Sequence, residues 1–331
     1  MDFSNGSSSP EHIDSALIQV HLHRSIMIVA FIPLAVVIVF GNGLILMAIR
    51  KEPTLREPRY HFLASLAIAD LLAGLVAIPM EVFRRIVRSH ATCTVATSVY
   101  FTIWSYVFTS VSFVVIVLVN ADRYVAITRP LRYVSIVTSK RVVMVIVGVW
   151  VGCLTYGFMF AYGSNEDQSV IEYCTAKPRS SRKVHHIATS AFIVVFSLAV
   201  TGSNLRILAI AKSQARRIQI AADQQPMRIP PPEPRLKQEV KAIRAILLLV
   251  VTYCVSLFPT CVWYAVKYFL GVSHLTYVLA SDISFFFLNI SSAANPFIYS
   301  TKSPFFRKTF RKIVPALFKW LDGNRVNVDL Q

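Results

Sequence analysis

Three acidic residues, Asp70, Asp122 and Glu239, stand in or beside long apolar runs, where a charge is costly and usually functional. Asp70 lies in the middle of the second run. Hydroxyl and amide side chains of other runs could converge on it, namely those of Ser112, Ser291, Ser292 and Asn295. One carboxylate with several such oxygens suits a small hard cation such as Na⁺, or a proton. The alternative is simple hydrogen bonding between helices, which is our interpretation of Asn42 in the first run.

A second charged group stands at the end of the third run, in Asp122-Arg123-Tyr124. Glu239 lies near the start of the sixth run, at the same expected depth. If Asp122 and Glu239 both hold Arg123, the three residues latch two helices together. Breaking that latch would open a cleft between them. The alternative is a solvated surface pair that contributes little.

The elements that must position these residues are apolar. The chain has 331 residues, of which 55% are hydrophobic and only 15% charged, against about 25% charged in an average soluble protein. The high hydrophobic content excludes a disordered chain. Five Cys in 331 residues are ordinary usage, which excludes a scaffold held together by disulfides. A spanning helix needs about 20 apolar residues, and such runs lie at 26–49, 62–83, 95–127, 142–162, 187–211, 242–270 and 275–299. We therefore predict an all-α membrane protein, a seven-transmembrane helix bundle.

Charge predicts the orientation of the bundle. Of 34 Lys and Arg residues, 25 fall in the segments after spans one, three and five, with the adjoining span ends included, or in the C-terminal segment. The positive-inside rule makes that side cytoplasmic and the N-terminus extracellular, in a multi-pass protein of the plasma membrane. Asn5, in Asn-Gly-Ser, is then a candidate glycosylation site. The cytoplasmic cations also predict contact with anionic membrane lipids.

Taken in order, these motifs resemble those of the rhodopsin-like (class A) G-protein-coupled receptors over essentially the whole chain. The matching residues are Gly41-Asn42, 66–70, Asp122-Arg123-Tyr124, Trp150, Pro259 and Asn295-Pro296-Phe297-Ile298-Tyr299. The cytoplasmic half looks most like the adenosine and melanocortin receptors, through residues 131–138 and 295–313. The resemblance implies an extracellular N-terminus (1–24), a receptor domain (25–302), a C-terminal interfacial amphipathic helix eight (303–320) and a short cytoplasmic tail (321–331).

The resemblance also implies a function. Such a receptor is not an enzyme: it binds an extracellular ligand and activates a heterotrimeric G protein by opening a cleft between helices three and six. The implied switch residues are Asp122, Arg123, Tyr124, Glu239, Asn295, Pro296 and Tyr299. Leu257, Phe196 and Asn204 stand where the family usually has Trp, Pro and Tyr, so the switch is altered. The family's disulfide is expected at a displaced position, Cys93–Cys174.

The implied ligand pocket consists of Glu81, Phe101, Ser105, Tyr106, Thr109, Tyr264, Asp282, Phe285 and Asn289. Asn289 replaces the retinal-binding Lys of opsins, which excludes a retinal cofactor. Ser105 replaces the Asp of amine receptors, and Tyr264 replaces an adenine-binding Asn. Glu81 and Asp282 among aromatic walls suit a small cationic or amine-like ligand, unless Glu81 only pairs with nearby Arg residues. The alternatives are a purine or peptide ligand and, remotely, an ion-coupled transporter using Asp70; no nucleic-acid partner is expected.

Overall fold

The computed structural model describes residues 10–55, 57–86, 95–162, 180–224, 233–269 and 274–315. These residues form helices and short connections, and none of them lies in a strand. The α-helices are α1 (Pro10–Lys51), α2 (Arg59–Leu72), α3 (Ile78–Ile86), α4 (Val95–Thr128), α5 (Pro130–Ile136), α6 (Ser139–Tyr162), α7 (Ser180–Gln224), α8 (Glu233–Phe269), α9 (His274–Lys302) and α10 (Pro304–Ile313). A 3₁₀ turn, Pro53–Leu55, follows α1, and a π turn, Ala73–Ala77, joins α2 to α3. The predicted all-α class is confirmed.

Six segments of the described chain are long and apolar enough to cross a membrane: Ser25–Lys51, Arg59–Phe83, Ile103–Thr128, Ser139–Met159, Ile193–Ile210 and Arg244–Trp263. Helix α9, which contains the seventh apolar run, has 29 residues. This is about 44 Å of helix, against a hydrocarbon core of about 30 Å. Below, the end of the bundle that holds Asp122 and Arg123 is called the Arg123 end. The opposite one, where α9 carries Asp282, is the Asp282 end.

Three helices are longer than the apolar runs predict. α1 begins at Pro10 instead of residue 26, α7 continues to Gln224 instead of ending near residue 211, and α8 begins at Glu233 instead of residue 242. The extension of α7 is rich in Ala, Arg, Gln and Lys, which are good helix formers that hydropathy alone does not reveal. The expected boundary between N-terminus and receptor domain, at residue 24, therefore falls inside a continuous helix.

The π turn has a local cause in Pro79. A proline ring clashes with the carbonyl four residues earlier, here that of Leu75, and leaves it without its usual amide partner. A wider turn just before the proline relieves that clash. It also rotates α3 relative to α2, and the carboxylate residue Glu81 on α3 is buried.

Helices α1 and α9 approach closely at Gly41. A Cβ atom placed on this glycine would lie 2.4 Å from Cγ of Pro296. Further towards the Asp282 end, the ring of Phe31 packs against Phe285 and Phe286 at centroid distances of 5.5 and 5.7 Å. A glycine is thus required where the backbone of α1 meets the proline of α9.

We expect Gly41→Ala to destabilise the fold by about 1–3 kcal/mol, because the proline ring is rigid and the helices must separate to admit a methyl group. The thermal melting of the purified protein measures this. Gly43→Ala is the matched control, since a Cβ there meets nothing within 4 Å. Equal melting temperatures for the two variants would contradict the close contact.

Candidate functional site

Asp70 is the centre of a buried polar network. Its side chain is only 1% exposed. Ser112 of α4 and Ser292 of α9 donate hydrogen bonds to Oδ1 at 3.1 and 2.8 Å, and Asn295 of α9 donates to Oδ2 at 2.6 Å. Three predicted residues therefore meet on one carboxylate, as the sequence predicts. The charge that α2 brings into the membrane is compensated by donors from two other spans.

Ser291 and Asn42 lie beside this network without binding Asp70 directly. Ser291 donates to the carbonyl of Leu288 in its own helix, at 2.9 Å. Asn42 donates to the carbonyls of Ile38 and Ser292, both at 3.0 Å, which joins α1 to α9 as the interpretation of interhelical bonding expected. Asn42 thereby fixes the backbone at the same residue whose hydroxyl binds Asp70.

A small cavity adjoins the network. Its volume is about 10 Å³, close to the smallest space that holds one water molecule. The polar residues that line it are Thr109, Ser112, Asn289, Ser291 and Ser292. Two predicted pocket residues, Thr109 and Asn289, thus lie at the cavity, and Ser291 joins the site through it.

At the Arg123 end, Arg123 is held by its neighbour Asp122. The guanidinium donates to Oδ2 of Asp122 through Nη2 at 2.6 Å and Nε at 3.0 Å, and both residues are buried. Tyr133 of α5 donates to Oδ1 of Asp122 at 2.8 Å. Burial, followed by the charge of Asp122, raises the pKa of Tyr133, so its hydroxyl stays a donor at physiological pH.

The second half of the predicted latch is not tested, because the side chain of Glu239 lies outside the described part of the structure. Tyr124 is exposed, and Tyr299 is buried against Phe306 at 5.2 Å between ring centroids. Pro296 packs on Gly41 as described above. Of the predicted switch residues, the structure therefore brings together Asp122 and Arg123, and adds Tyr133 to them.

The altered switch positions form a different contact set. Phe196 stacks edge-on against Phe113 of α4 at 5.6 Å, and Phe113 contacts Tyr253 of α8 at 5.9 Å. The hydroxyl of Tyr253 donates to the carbonyl of Thr109 at 3.0 Å. Leu257 is buried beside this aromatic group, in the same apolar cluster. With Phe in place of Pro at position 196, α7 runs on without a proline and gains an aromatic contact to α4.

The predicted ligand residues do not all line one pocket in the described part of the structure. Asp282 lies 3.4 Å from the ring nitrogen Nε2 of His23, and Phe285 packs on Phe31, so both face α1. Glu81 is buried, and Ser105 and Tyr106 are partly buried. The side chains of Phe101 and Tyr264 lie outside the described part, as do the residues Asn5, Cys93 and Cys174. The predicted glycan and disulfide therefore stay predictions.

The short helix α10 closes the Arg123 end. Phe306 and Phe310 are buried against Leu44, Ile45 and Tyr299. Arg307 donates to the carbonyl oxygens of Ser300 and Thr301, which are otherwise unsatisfied at the C-terminus of α9. The cations Lys308, Arg311 and Lys312 lie on its exposed face. This amphipathic helix agrees with the predicted helix eight over Pro304–Ile313.

Sequence reasoning missed Tyr133 and His23 as site residues. Tyr133 is 10 residues beyond Arg123, and only the turn that Pro130 begins at α5 returns it to Asp122. The visible signal was Pro130, since a proline commonly starts a new helix. His23 stands before the first apolar run, and only the extension of α1 beyond that run places it beside α9.

Taken together, the helices define a multi-pass membrane protein whose buried charges connect its spans. Signalling receptors are one class of such proteins. The family model "7 transmembrane receptor (rhodopsin family)" matches residues 41–299, and the chain belongs to this family of G-protein-coupled receptors. The predicted resemblance is confirmed, and the family consists of receptors and not of enzymes or transporters.

Individual receptors with similar sequences agree with this assignment. The chain is 26% identical to the adenosine receptor A2a of Canis lupus familiaris, over 85% of this chain and 70% of that receptor. It is 28% identical to the trace amine-associated receptor 9 of Rattus norvegicus, over 89% of this chain and 88% of the relative. It is also 28% identical to the adenosine receptor A2b of Bos taurus, over 85% and 87%.

Proposed function

We propose that this receptor binds a small cationic ligand at its Asp282 end and activates a heterotrimeric G protein at its Arg123 end. The observation that carries the proposal is the Asp70 network, because it joins α2, α4 and α9 between the two ends. A ligand that shifts any of these helices changes the relative stability of its bonds. The effect at the far end is then a shift between two arrangements, without covalent chemistry.

The proposed orientation places the Arg123 end in the cytoplasm. It rests on the distribution of Lys and Arg, 25 of 34 on that side. The exposed cations of α10 support contact with anionic lipid there, since a helix with one apolar and one basic face lies in the interface. The N-terminus is then extracellular, in the plasma membrane.

For coupling, the buried pair of Asp122 and Arg123 represents the resting arrangement. Tyr133 holds Asp122 from the side of α5. Separation of α8 from α4, which breaks the proposed second contact to Glu239, would expose Arg123 to the G protein. A buried ion pair is a suitable two-state element, because breaking it without a new partner is costly.

For the ligand, unsatisfied polar atoms support a pocket between α4 and α8. Within the described chain, Ser105 Oγ and Thr260 Oγ1 are buried without a hydrogen-bond partner. The Tyr253–Thr109 hydrogen bond marks one level in both helices. At a rise of 1.5 Å per residue, Ser105 lies about 6 Å from this level along α4 and Thr260 about 10 Å along α8, both towards the Asp282 end. A ligand whose polar groups span these two depths can satisfy both hydroxyls.

Among the acids at this end, Glu81 is the proposed counter-ion of the ligand. It is buried on α3, where little water screens its attraction to a cation. The name of the trace amine-associated relative supports an amine. The adenosine relatives favour the second candidate, a purine, although Tyr264 replaces the Asn that such receptors use; a peptide of the melanocortin type is the remaining alternative.

The residues around Asp70 fit a sodium ion. They offer one carboxylate, the hydroxyls of Ser112 and Ser292, and an adjoining cavity of about 10 Å³. Hard oxygen ligands of this kind suit Na⁺. Bound sodium would neutralise Asp70 and stabilise the resting arrangement.

We expect Arg123→Ala to abolish G-protein activation while cell-surface expression is kept, because no other buried cation of α4 can take its place. The assay measures several G-protein classes with a compound found by screening amines, purines, lipids and peptides. Arg129→Ala, an exposed cation at the same end, is the control and should signal normally. Undiminished signalling by Arg123→Ala would refute the coupling mechanism.

We expect sodium chloride to raise the melting temperature of the purified receptor by about 3 °C over potassium chloride, since a ligand bound to the native state stabilises it. Ser292→Ala should lose most of this rise, because its hydroxyl binds Asp70. Ser300→Ala is the matched control, since its hydroxyl bonds within the same helix and does not line the cavity. A sodium effect that Asp70→Asn retains would exclude the site.

We expect Glu81→Gln to raise the half-maximal concentration of a cationic agonist at least about tenfold, through loss of a buried charge pair. Asp282→Asn should have a smaller effect, because Asp282 contacts α1. Dose–response curves with a neutral compound serve as the reference. If Glu81→Gln leaves every cationic agonist unchanged, the ligand is held by other residues.

A further inference from the structure

His23 and Asp282 join α1 to α9 near the end of the bundle. His23 Nε2 lies 3.4 Å from Oδ2 of Asp282, within ion-pair range, and forms no hydrogen bond within the described chain. Their side chains are only 16% and 6% exposed. A carboxylate in such surroundings gains most from a charged partner, because little water screens the pair.

The contact stands at the top of a continuous line between the two helices. Below it, Phe31 packs on Phe285 and Phe286, and further down Asn42 donates to the carbonyl of Ser292. Ser292 is also the residue whose hydroxyl binds Asp70. Whatever tightens the His23–Asp282 contact therefore stabilises the position of the helix that supplies two donors to the Asp70 network.

From this geometry we infer that His23 and Asp282 form a proton-binding site, at which a proton stabilises the resting arrangement of α1 and α9. Imidazole changes its charge between pH 5 and 8. Protonated His23 attracts the carboxylate through its full charge, and neutral His23 attracts it only through the weaker N–H dipole. The arrangement that contains the contact is therefore favoured as pH falls through this range, and the gain is lost as pH rises. With the proposed orientation, the sensed protons are extracellular.

Other titratable or charged residues occur within about three turns of the contact on the four helices packed there: His12, Asp14, His21, Arg24, Glu81, Arg84, Arg85, Lys267 and His274. Of these, the imidazoles of His12, His21 and His274 change charge in the same range. Any measured pH effect must therefore be assigned by substitution of each histidine separately. The contribution of Glu81 is separated by the variant Glu81→Gln, which should retain the relative gain.

The test is the melting temperature of purified full-length receptor between pH 7.5 and 5.5. We expect the wild type to gain about 2 °C relative to His23→Gln on acidification, the shift that about one weak ion pair gives in a chain of this size. His23→Arg, charged at both pH values, should keep the higher melting temperature throughout. Asp282→Asn should abolish the relative gain, and the controls His12→Gln, His21→Gln and His274→Gln should retain it.

Parallel melting of the wild type and His23→Gln at both pH values would overturn the inference, as would a gain that Asp282→Asn retains. The measurement needs neither ligand nor G protein. A failed coupling experiment with Arg123→Ala is therefore distinguishable from a failure of the proton site.

Discussion

The arrangement of the bundle depends on one carboxylate in the membrane. Asp70 is almost fully buried, and its ionised form is tolerable only if donors reach both oxygens. Ser112, Ser292 and Asn295 do so from two other spans. Each of these helices is therefore constrained in rotation and in depth relative to α2, because a turn in either direction would withdraw a donor. Apolar packing alone, which is similar between lipid and protein, would not fix the helices so closely.

The second constraint is the close contact of α1 and α9. Gly41 lets the backbone of α1 reach Pro296, and this brings Asn42 within 3.0 Å of the carbonyl of Ser292. Pro296 and the two donors to Asp70, Ser292 and Asn295, lie on α9. The contact between Gly41 and Pro296 therefore also fixes the position of these two donors. The same helix ends in carbonyls that Arg307 satisfies, which ties α10 to the bundle. One helix thus connects Asp282, Asp70 and the Arg123 end.

Much of this organisation could be predicted from the sequence. Apolar runs located the spans, and the cost of charge in lipid singled out Asp70, Asp122 and Arg123, because the membrane permits few explanations for such residues. Hydropathy could not give the lengths of α1, α7 and α8, since their extensions are polar and helical. It also could not place Tyr133 or His23, whose partners are set by a turn and by a helix extension. The sequence also could not predict which acceptor Ser291 uses. Its position next to Ser292 suggested a second donor to Asp70, but its hydroxyl donates to a carbonyl of its own helix.

The altered switch positions show how the family's architecture can be kept with different residues. A proline in the fifth span would free a carbonyl and bend the helix; Phe196 instead supplies an aromatic ring that reaches Phe113. Phe113 in turn contacts Tyr253, whose hydroxyl bonds the backbone of α4. Leu257, smaller than the usual Trp, packs in the same cluster. In this chain the third, fifth and sixth spans are therefore coupled by interlocking aromatic rings and one hydrogen bond, so separation of α8 from α4 must break the Tyr253–Thr109 bond as well as any contact to Arg123.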